Sequence, residues 1–183
     1  MRIGYLGPAG TYTQQAMECF IERLKLSSVE QLPLGSIEAV LESLSQSAID
    51  SAVLPLRNSL AGDYCETVAG LQRYDFNCRA SLDLPIRLAF GIHPESDEDN
   101  VCEVRSKDTA LRECSRYLAQ HHPRARLICV ESTTIAMQEI MQKNQRHSAA
   151  IGSQRGMDLY GLRIVNDNIV DQFNLSVFYW STI

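Results

Sequence analysis

Apolar positions along the chain follow two periods, and the period switches repeatedly. Short β-rich runs at 2–6 (RIGYL), near 28–33 and at 49–56 (IDSAVLPL) predict strands. Between them the apolar residues fall three and four apart. Thr11 opens the first helical stretch, with Gln14 three residues on as a capping-box partner and Ala16, Phe20 and Leu24 as the buried stripe. A second helix starts at Ser36, with Ile37, Val40, Leu41 and Leu44 facing inward. A third is predicted near 64–74. This βαβαβα alternation implies a largely parallel sheet with helices on its faces.

Residues 80–92 (ASLDLPIRLAFGI) read as one long strand leaving that block. The acidic run ESDEDN at 95–100 reads as a solvated loop. A second alternation follows: strand 101–105, helix 107–121, strand 126–130, helix 133–142 and strand 148–152, with two further strand-like runs in 162–182. The pattern predicts an α/β chain of two lobes, about 1–78 plus 165–183 and about 79–164. The default site is a cleft between them, outside the carboxyl ends of the strands.

Composition narrows the classes. The 183 residues are 45% hydrophobic and 21% charged, an ordinary globular balance. Seventeen Lys and Arg against twenty-two Asp and Glu give a net charge of −5, which disfavours nucleic acid and anionic membranes as partners. The first residues enter a strand without a basic and then apolar leader, and no apolar run approaches the ~20 residues that span a bilayer, so a cytoplasmic protein is expected. The six cysteines, at 19, 65, 78, 102, 114 and 129, form no CxxC pair and mostly sit in apolar runs, which predicts small buried hydrophobes. Of the histidines only His121 and His122 cluster, and neither a metal site nor a cofactor is expected. Asp50, Asp158 and Asp171 read as surface or capping residues, not as an acid/base dyad.

Four strand-to-helix loops are rich in small hydroxyl or amide residues: Gly7–Thr11, Asn58–Ser59, Ser106–Lys107 and Ser132–Thr133–Thr134. Helix starts offer unpaired N–H groups and the positive end of the dipole, which suits a carboxylate or phosphate. Taken singly, Thr11, Ser106 and Ser132 are N-caps worth about 1 kcal/mol each. Four such loops together predict a cleft that binds a small anion. There is no GxxxxGK loop, no GxGxxG fingerprint and no GxSxG elbow.

The motifs resemble those of the prephenate dehydratase family. Gly7–Thr13 read GPAGTYT, similar to the family's GPxGTY followed by Ser or Thr. Pro55–Gly62 read PLRNSLAG, where the family has a Glu-Asn pair before Ser or Thr. SKDTAL at 106–111 aligns with SHPQAL, STTIAM at 132–137 with STAxAA, and residues 149–171 with the family's AAI…YGL…I…D stretch. The resemblance implies a fold similar to type 2 periplasmic binding proteins, an interlobe active-site cleft and an associating, homodimeric enzyme without cofactor. The regulatory ACT domain usual in the family is expected to be absent, and feedback by phenylalanine with it.

Departures from the pattern shape the expected chemistry. The family's closing NxTRF reads NLSVF at Asn174–Phe178, so the threonine taken to assist departure of the ring hydroxyl is Ser176 and the arginine is Val177. The Glu before Asn58 is Arg57, and the His, Pro and Gln of SHPQ are Lys107, Asp108 and Thr109. The resemblance assigns catalysis to Asn58, Ser59 and Ser176, and substrate binding to Thr11, Arg57, Ser106, Lys107, Thr109, Ser132, Thr133, Asn174, Val177 and Phe178. An Arg-to-Val change removes a bidentate anion clamp, for which Arg57 and Lys107 are expected to compensate. Such changes resemble the prephenate decarboxylase branch, which removes carbon dioxide and retains the hydroxyl, so the first reading is non-aromatising decarboxylation to a dihydro-4-hydroxyphenylpyruvate. The alternatives are ordinary dehydration to phenylpyruvate and a non-catalytic small-anion-binding protein.

Overall fold

A computed structural model describes all residues from Met1 to Ile183. The chain forms two compact units, Met1–Pro85 with Asn174–Ile183, and Ile86–Phe173.

In the first unit the strands are β1 (Arg2–Leu6), β2 (Glu30–Leu34), β3 (Ser51–Asn58), β4 (Gly62–Asp63), β5 (Asn77–Pro85) and β11 (Leu175–Thr182). Their order is β2-β1-β3-β11-β5, with β4 paired to the end of β3. β1 runs parallel to both β2 and β3, whereas β11 is antiparallel to β3 and to β5. The sheet is therefore mixed, not largely parallel, because the returning C-terminal strand inserts beside β3. Helices cover both faces. Helix α1 (Tyr12–Arg23) packs Ala16, Met17 and Phe20 against Ile3, Tyr5, Val53, Phe178 and Trp180. Helix α2 (Ile37–Ser45) buries Ile37, Val40, Leu41 and Leu44 against Ile49, Ala52 and Leu54 on the other face, beside α3 (Cys65–Tyr74). Leu24, assigned to the α1 stripe by its spacing, is the C-cap residue and is 44% exposed.

The second unit holds β6 (Ala89–Ile92), β7 (Glu103–Ser106), β8 (Arg126–Cys129), β9 (Ser148–Gly152) and β10 (Arg163–Asn166), in the order β10-β6-β9-β7-β8. Its helices are α4 (Asp108–Glu113), α5 (Ser115–His121), α6 (Thr133–Gln142) and α7 (Gln154–Tyr160). Ala136, Met137, Ile140 and Met157 pack on Ala89 and Ala150.

Four expectations need correcting. The run 80–92 is not one strand: β5 ends at Pro85 against Leu175, and β6 starts at Ala89 in the other sheet. Since β5 pairs with β11 along its length and β10 pairs with β6, the unit boundaries fall after Pro85 and Phe173, later than the sequence places them. The helix expected over 107–121 breaks at Cys114. There Asp171 donates its N–H to the Glu113 carbonyl at 2.7 Å, while its carboxylate accepts from Ser115 Oγ and the Arg116 N–H, each at 2.9 Å. One residue thus ends α4 and starts α5. Finally, only Cys114 among the cysteines is buried, and burial pushes its thiol pKa well up. Cys65, Cys78, Cys102 and Cys129 are exposed, with Cys78 and Cys129 on the edge strands β5 and β8.

Candidate active site

The pairing of β3 with β11 builds the polar cluster of the first unit. Tyr179, Trp180 and Ser181 of β11 face Leu54, Val53 and Ala52, and Phe178 faces Pro55. The register then slips, so that Val177 faces Arg57 and Ser176 faces Asn58, leaving Leu56 as an extra residue on β3. A one-residue bulge reverses which face the following side chains occupy. Without it Asn58 would share the α2 face with Ala52 and Leu54. With it, Asn58 joins Ser176 on the face of Phe178 and Trp180. The bulge falls beside Pro55, which has no N–H to give to a ladder.

Beyond Asn58 the chain turns back at once. Ser59, Leu60 and Ala61 form a short loop, Gly62 takes a positive φ of 86°, and Asn58 and Arg57 pair with Gly62 and Asp63. Asn58–Ser59 is thus a hairpin, not a helix start as its composition suggests. Asn58 Oδ1 accepts from the backbone N–H groups of Leu60 at 3.0 Å and Ala61 at 2.9 Å. These two bonds fix the orientation of its carboxamide, and Nδ2 must point the other way. Nδ2 donates to Asn174 Oδ1 at 2.6 Å and to Ser176 Oγ at 2.9 Å. Ser59 Oγ accepts from the Leu175 N–H at 2.9 Å and donates to Asn174 Oδ1 at 3.3 Å.

This network distinguishes two hydroxyls. Ser59 has committed its proton to Asn174. Ser176 can only accept from an amide N–H, so its own proton stays available to another acceptor. Asn58, Asn174 and Ser176 are 7%, 2% and 4% exposed, a dry setting in which a directed donor is worth more than in water.

Arg57 and Val177 lie on the other face. Arg57 Nε donates to Asp63 Oδ1 at 2.5 Å and Nη2 to Oδ2 at 3.3 Å. This bidentate contact, with a smaller contribution from Tyr179, raises the Arg57 pKa, and it lowers that of Asp63. Phe178 is 2% exposed and packs in the α1 core. Thr11 is the N-cap of α1. Its hydroxyl accepts from the Gln14 N–H at 3.3 Å and donates to the Leu6 carbonyl at 3.2 Å, while Gln14 Oε1 accepts from the Gly10 N–H at 2.7 Å.

In the second unit two of the predicted residues, Ser106 and Thr133, meet the carboxyl end of β9. Ser106, fully buried, donates to the Ile151 carbonyl at 2.7 Å and staples β7 to β9. It is therefore not the cap of α4. That position is taken by Lys107, which is exposed and makes no side-chain cap bond, with Thr109 in the first turn after it. Ser132 caps α6 by accepting from the Ile135 N–H at 3.1 Å. Thr133 lies so close to Gly152 that a Cβ there would stand 3.1 Å from the Thr133 Cβ.

Two residues escaped the sequence reading. Ser153 caps α7 by accepting from the Gly156 N–H at 3.0 Å, a helix whose signal was legible in Ser153 followed by Gly161 as its left-handed stop. Asp63 left no signal, because only the hairpin brings it to Arg57.

Comparison with known proteins places the sequence in a family and the fold among solved structures. A family model described as prephenate dehydratase matches residues 3–179. A prephenate dehydratase of Mycobacterium sp. (strain JLS) is 30% identical over 181 residues, covering 94% of this chain and 56% of that protein. The chain spans about half the length of the curated relatives it matches. Among solved structures, a prephenate dehydratase from Arthrobacter aurescens in complex with L-Phe superposes with a TM-score of 0.89 at 19% identity, over 100% of this chain and 60% of that one. GqqA, described as a novel type of quorum quenching acylases, superposes at 0.83 with 17% identity, over 100% of this chain and 64% of that one. At such identities the two structures speak for the fold alone. By its sequence the chain belongs to the prephenate dehydratase family.

Proposed function

We propose that the chain is the catalytic part of a lyase acting on prephenate, and that it removes the ring carboxylate together with the ring hydroxyl, giving phenylpyruvate, carbon dioxide and water. The observation that carries this reading is the uncommitted proton of Ser176. Loss of a ring hydroxyl needs a hydrogen-bond donor at the departing oxygen, and only a donor already aimed there lowers the barrier without reorganisation. Ser176 Oγ accepts from Asn58 Nδ2 and holds its proton for such an acceptor. The electrons of the broken bond to carbon dioxide pass into the ring, and hydroxide leaves as water once protonated.

Decarboxylation with retention of the hydroxyl is the second reading. Its support is Val177 in place of the family's arginine. That support is weaker with Val177 and Arg57 on the face opposite Ser176, since the site that holds the hydroxyl donor is not the one that lost the cation. Carbon dioxide loss by itself also develops no charge on the ring oxygen for a Ser176 hydrogen bond to stabilise.

Incubation with prephenate, followed by product mass and absorbance, tests the choice. Phenylpyruvate in excess of the acid-catalysed background supports dehydration. A product that keeps the ring oxygen overturns it in favour of decarboxylation. Saturable binding without turnover leaves an anion-binding protein.

A further inference from the structure

We propose that Asn58 and Asn174 are positioning residues, which touch no substrate and fix the direction in which Ser176 offers its proton. The proposal rests on the reading of Ser176 as the hydroxyl donor.

The argument is one of hydrogen-bond capacity. A carboxamide has two donor protons and two acceptor lone pairs. Asn58 spends all four: two N–H groups of its own hairpin reach Oδ1, and Nδ2 serves Asn174 and Ser176. It has nothing left for a ligand, whereas Ser176 keeps its own proton. Its orientation is set by the backbone of a three-residue loop and propagates outward. Asn174 must present Oδ1 to it, since a flipped amide would set two NH2 groups 2.6 Å apart. Ser59 must then donate to that same Oδ1. Ser176 must accept. Each polarity follows from the one before, and the chain ends on the single hydroxyl proton it leaves unpaired.

The consequence is that charge pattern, not shape, makes Asn58 necessary. Asn58→Asp keeps the volume and the acceptor of the two loop N–H groups. It replaces Nδ2 by an oxygen that draws the Ser176 proton inward. The expected result is a kcat lowered at least 100-fold with KM within threefold of the parent. The introduced carboxyl donates again when protonated, so this variant should regain activity as the pH falls from 7 toward 5, where the parent does not. Read as kcat per folded molecule, with the folded fraction followed by near-ultraviolet circular dichroism, that recovery separates a redirected proton from the refolding that neutralising a buried carboxylate would bring. A kcat unchanged at neutral pH, or a loss that acid does not relieve, overturns the proposal.

A second measurement needs no turnover and no folded variant at position 58. In a uniformly 15N-labelled parent, both Nδ2 protons of Asn58 should exchange slowly, and Ser176→Ala should speed one of them. Exchange of both at the rate of a free amide also overturns the proposal. Absence of any turnover of prephenate by the parent would sink the proposed function while leaving this exchange test standing.

Discussion

Arg57 and Val177 stand directly opposite one another across the β3–β11 pair, on the face of the sheet away from Ser176. Asp83 of β5 flanks Val177 from its other side, and Asp63 of β4 flanks Arg57. The family pattern that this chain resembles has Glu and Arg at these two positions. Here Arg57 takes Asp63 of β4 as its partner, and the residue opposite it on β11 carries no charge.

Restoring arginine at 177 therefore tests packing more than chemistry. Val177→Arg sets two guanidinium groups opposite each other, and like charges so placed destabilise a sheet. Tm should fall by a few degrees, and Arg57→Glu added to it should recover most of the loss. The ratio of products from prephenate should change less than twofold in both variants. A large change in that ratio, or in kcat, with Val177→Arg alone would show that this face takes part in the reaction.

The two serines of the cluster should separate cleanly. Ser176→Ala removes the free donor and leaves an Asn58 N–H unpaired in a buried site. We expect kcat to drop 100-fold or more, in the range a positioned proton donor supplies, with KM little changed. Ser59→Ala deletes a hydroxyl that is spent on Leu175 and Asn174. It should cost about 1 kcal/mol of stability and alter kcat less than fivefold. Steady-state kinetics with thermal unfolding of both variants decide, and equal kcat losses would refute the distinction.

Much of the architecture was legible because it rests on local period. The Ser36 cap with Ile37, Val40, Leu41 and Leu44 reads directly off the chain, as does Thr11 with Gln14. The site was legible only as a list of residue types. Which face each residue occupies depends on the extra Leu56, and Pro55 in the run IDSAVLPL marks a break in the ladder without saying which residue is left over. Ser106 looked like a helix cap because it precedes Lys107 and a helix, but its hydroxyl goes to a strand 45 residues away, a pairing no local rule reports. The same holds for Asp171, whose place in the break after Glu113 is purely tertiary.

Gly152 allows the end of β9 to meet α6. A Cβ there would lie 2.0 Å from Met137 Cε and 3.1 Å from Thr133 Cβ. Met137 is fully buried, so its flexible end has little room to retreat. Gly152→Ala should cost about 1–3 kcal/mol, the usual range for overpacking a filled core. In a Met137→Ala background the same change should cost clearly less, because the nearer of the two clashes is gone. Additive losses in the double mutant would assign the strain to Thr133 instead.

The pH dependence of stability should carry the mark of His122. Its ring is stacked on Phe90, with centroids 4.5 Å apart and planes at 15°, and its side chain is 7% exposed. Burial lowers its pKa, and the neighbouring His121 lowers it further, while Glu98 at 3.6 Å raises it. The net direction is downward from the ordinary value near 6.5, so the fold favours the neutral ring. The unfolded chain therefore binds a proton first as pH falls. Stability attributable to this group is complete above about pH 6.5 and is lost as the pH drops through the lower folded value. The paired carboxylates Asp50, Asp63, Glu103 and Glu139 are also lowered, but they act at more acid pH and leave the interval from 7 to 5 to the imidazole. Tm should therefore decline between pH 7 and 5 in the parent, and His122→Phe, which keeps a flat ring against Phe90, should flatten that decline. A slope unchanged by the substitution would place the titrating group elsewhere.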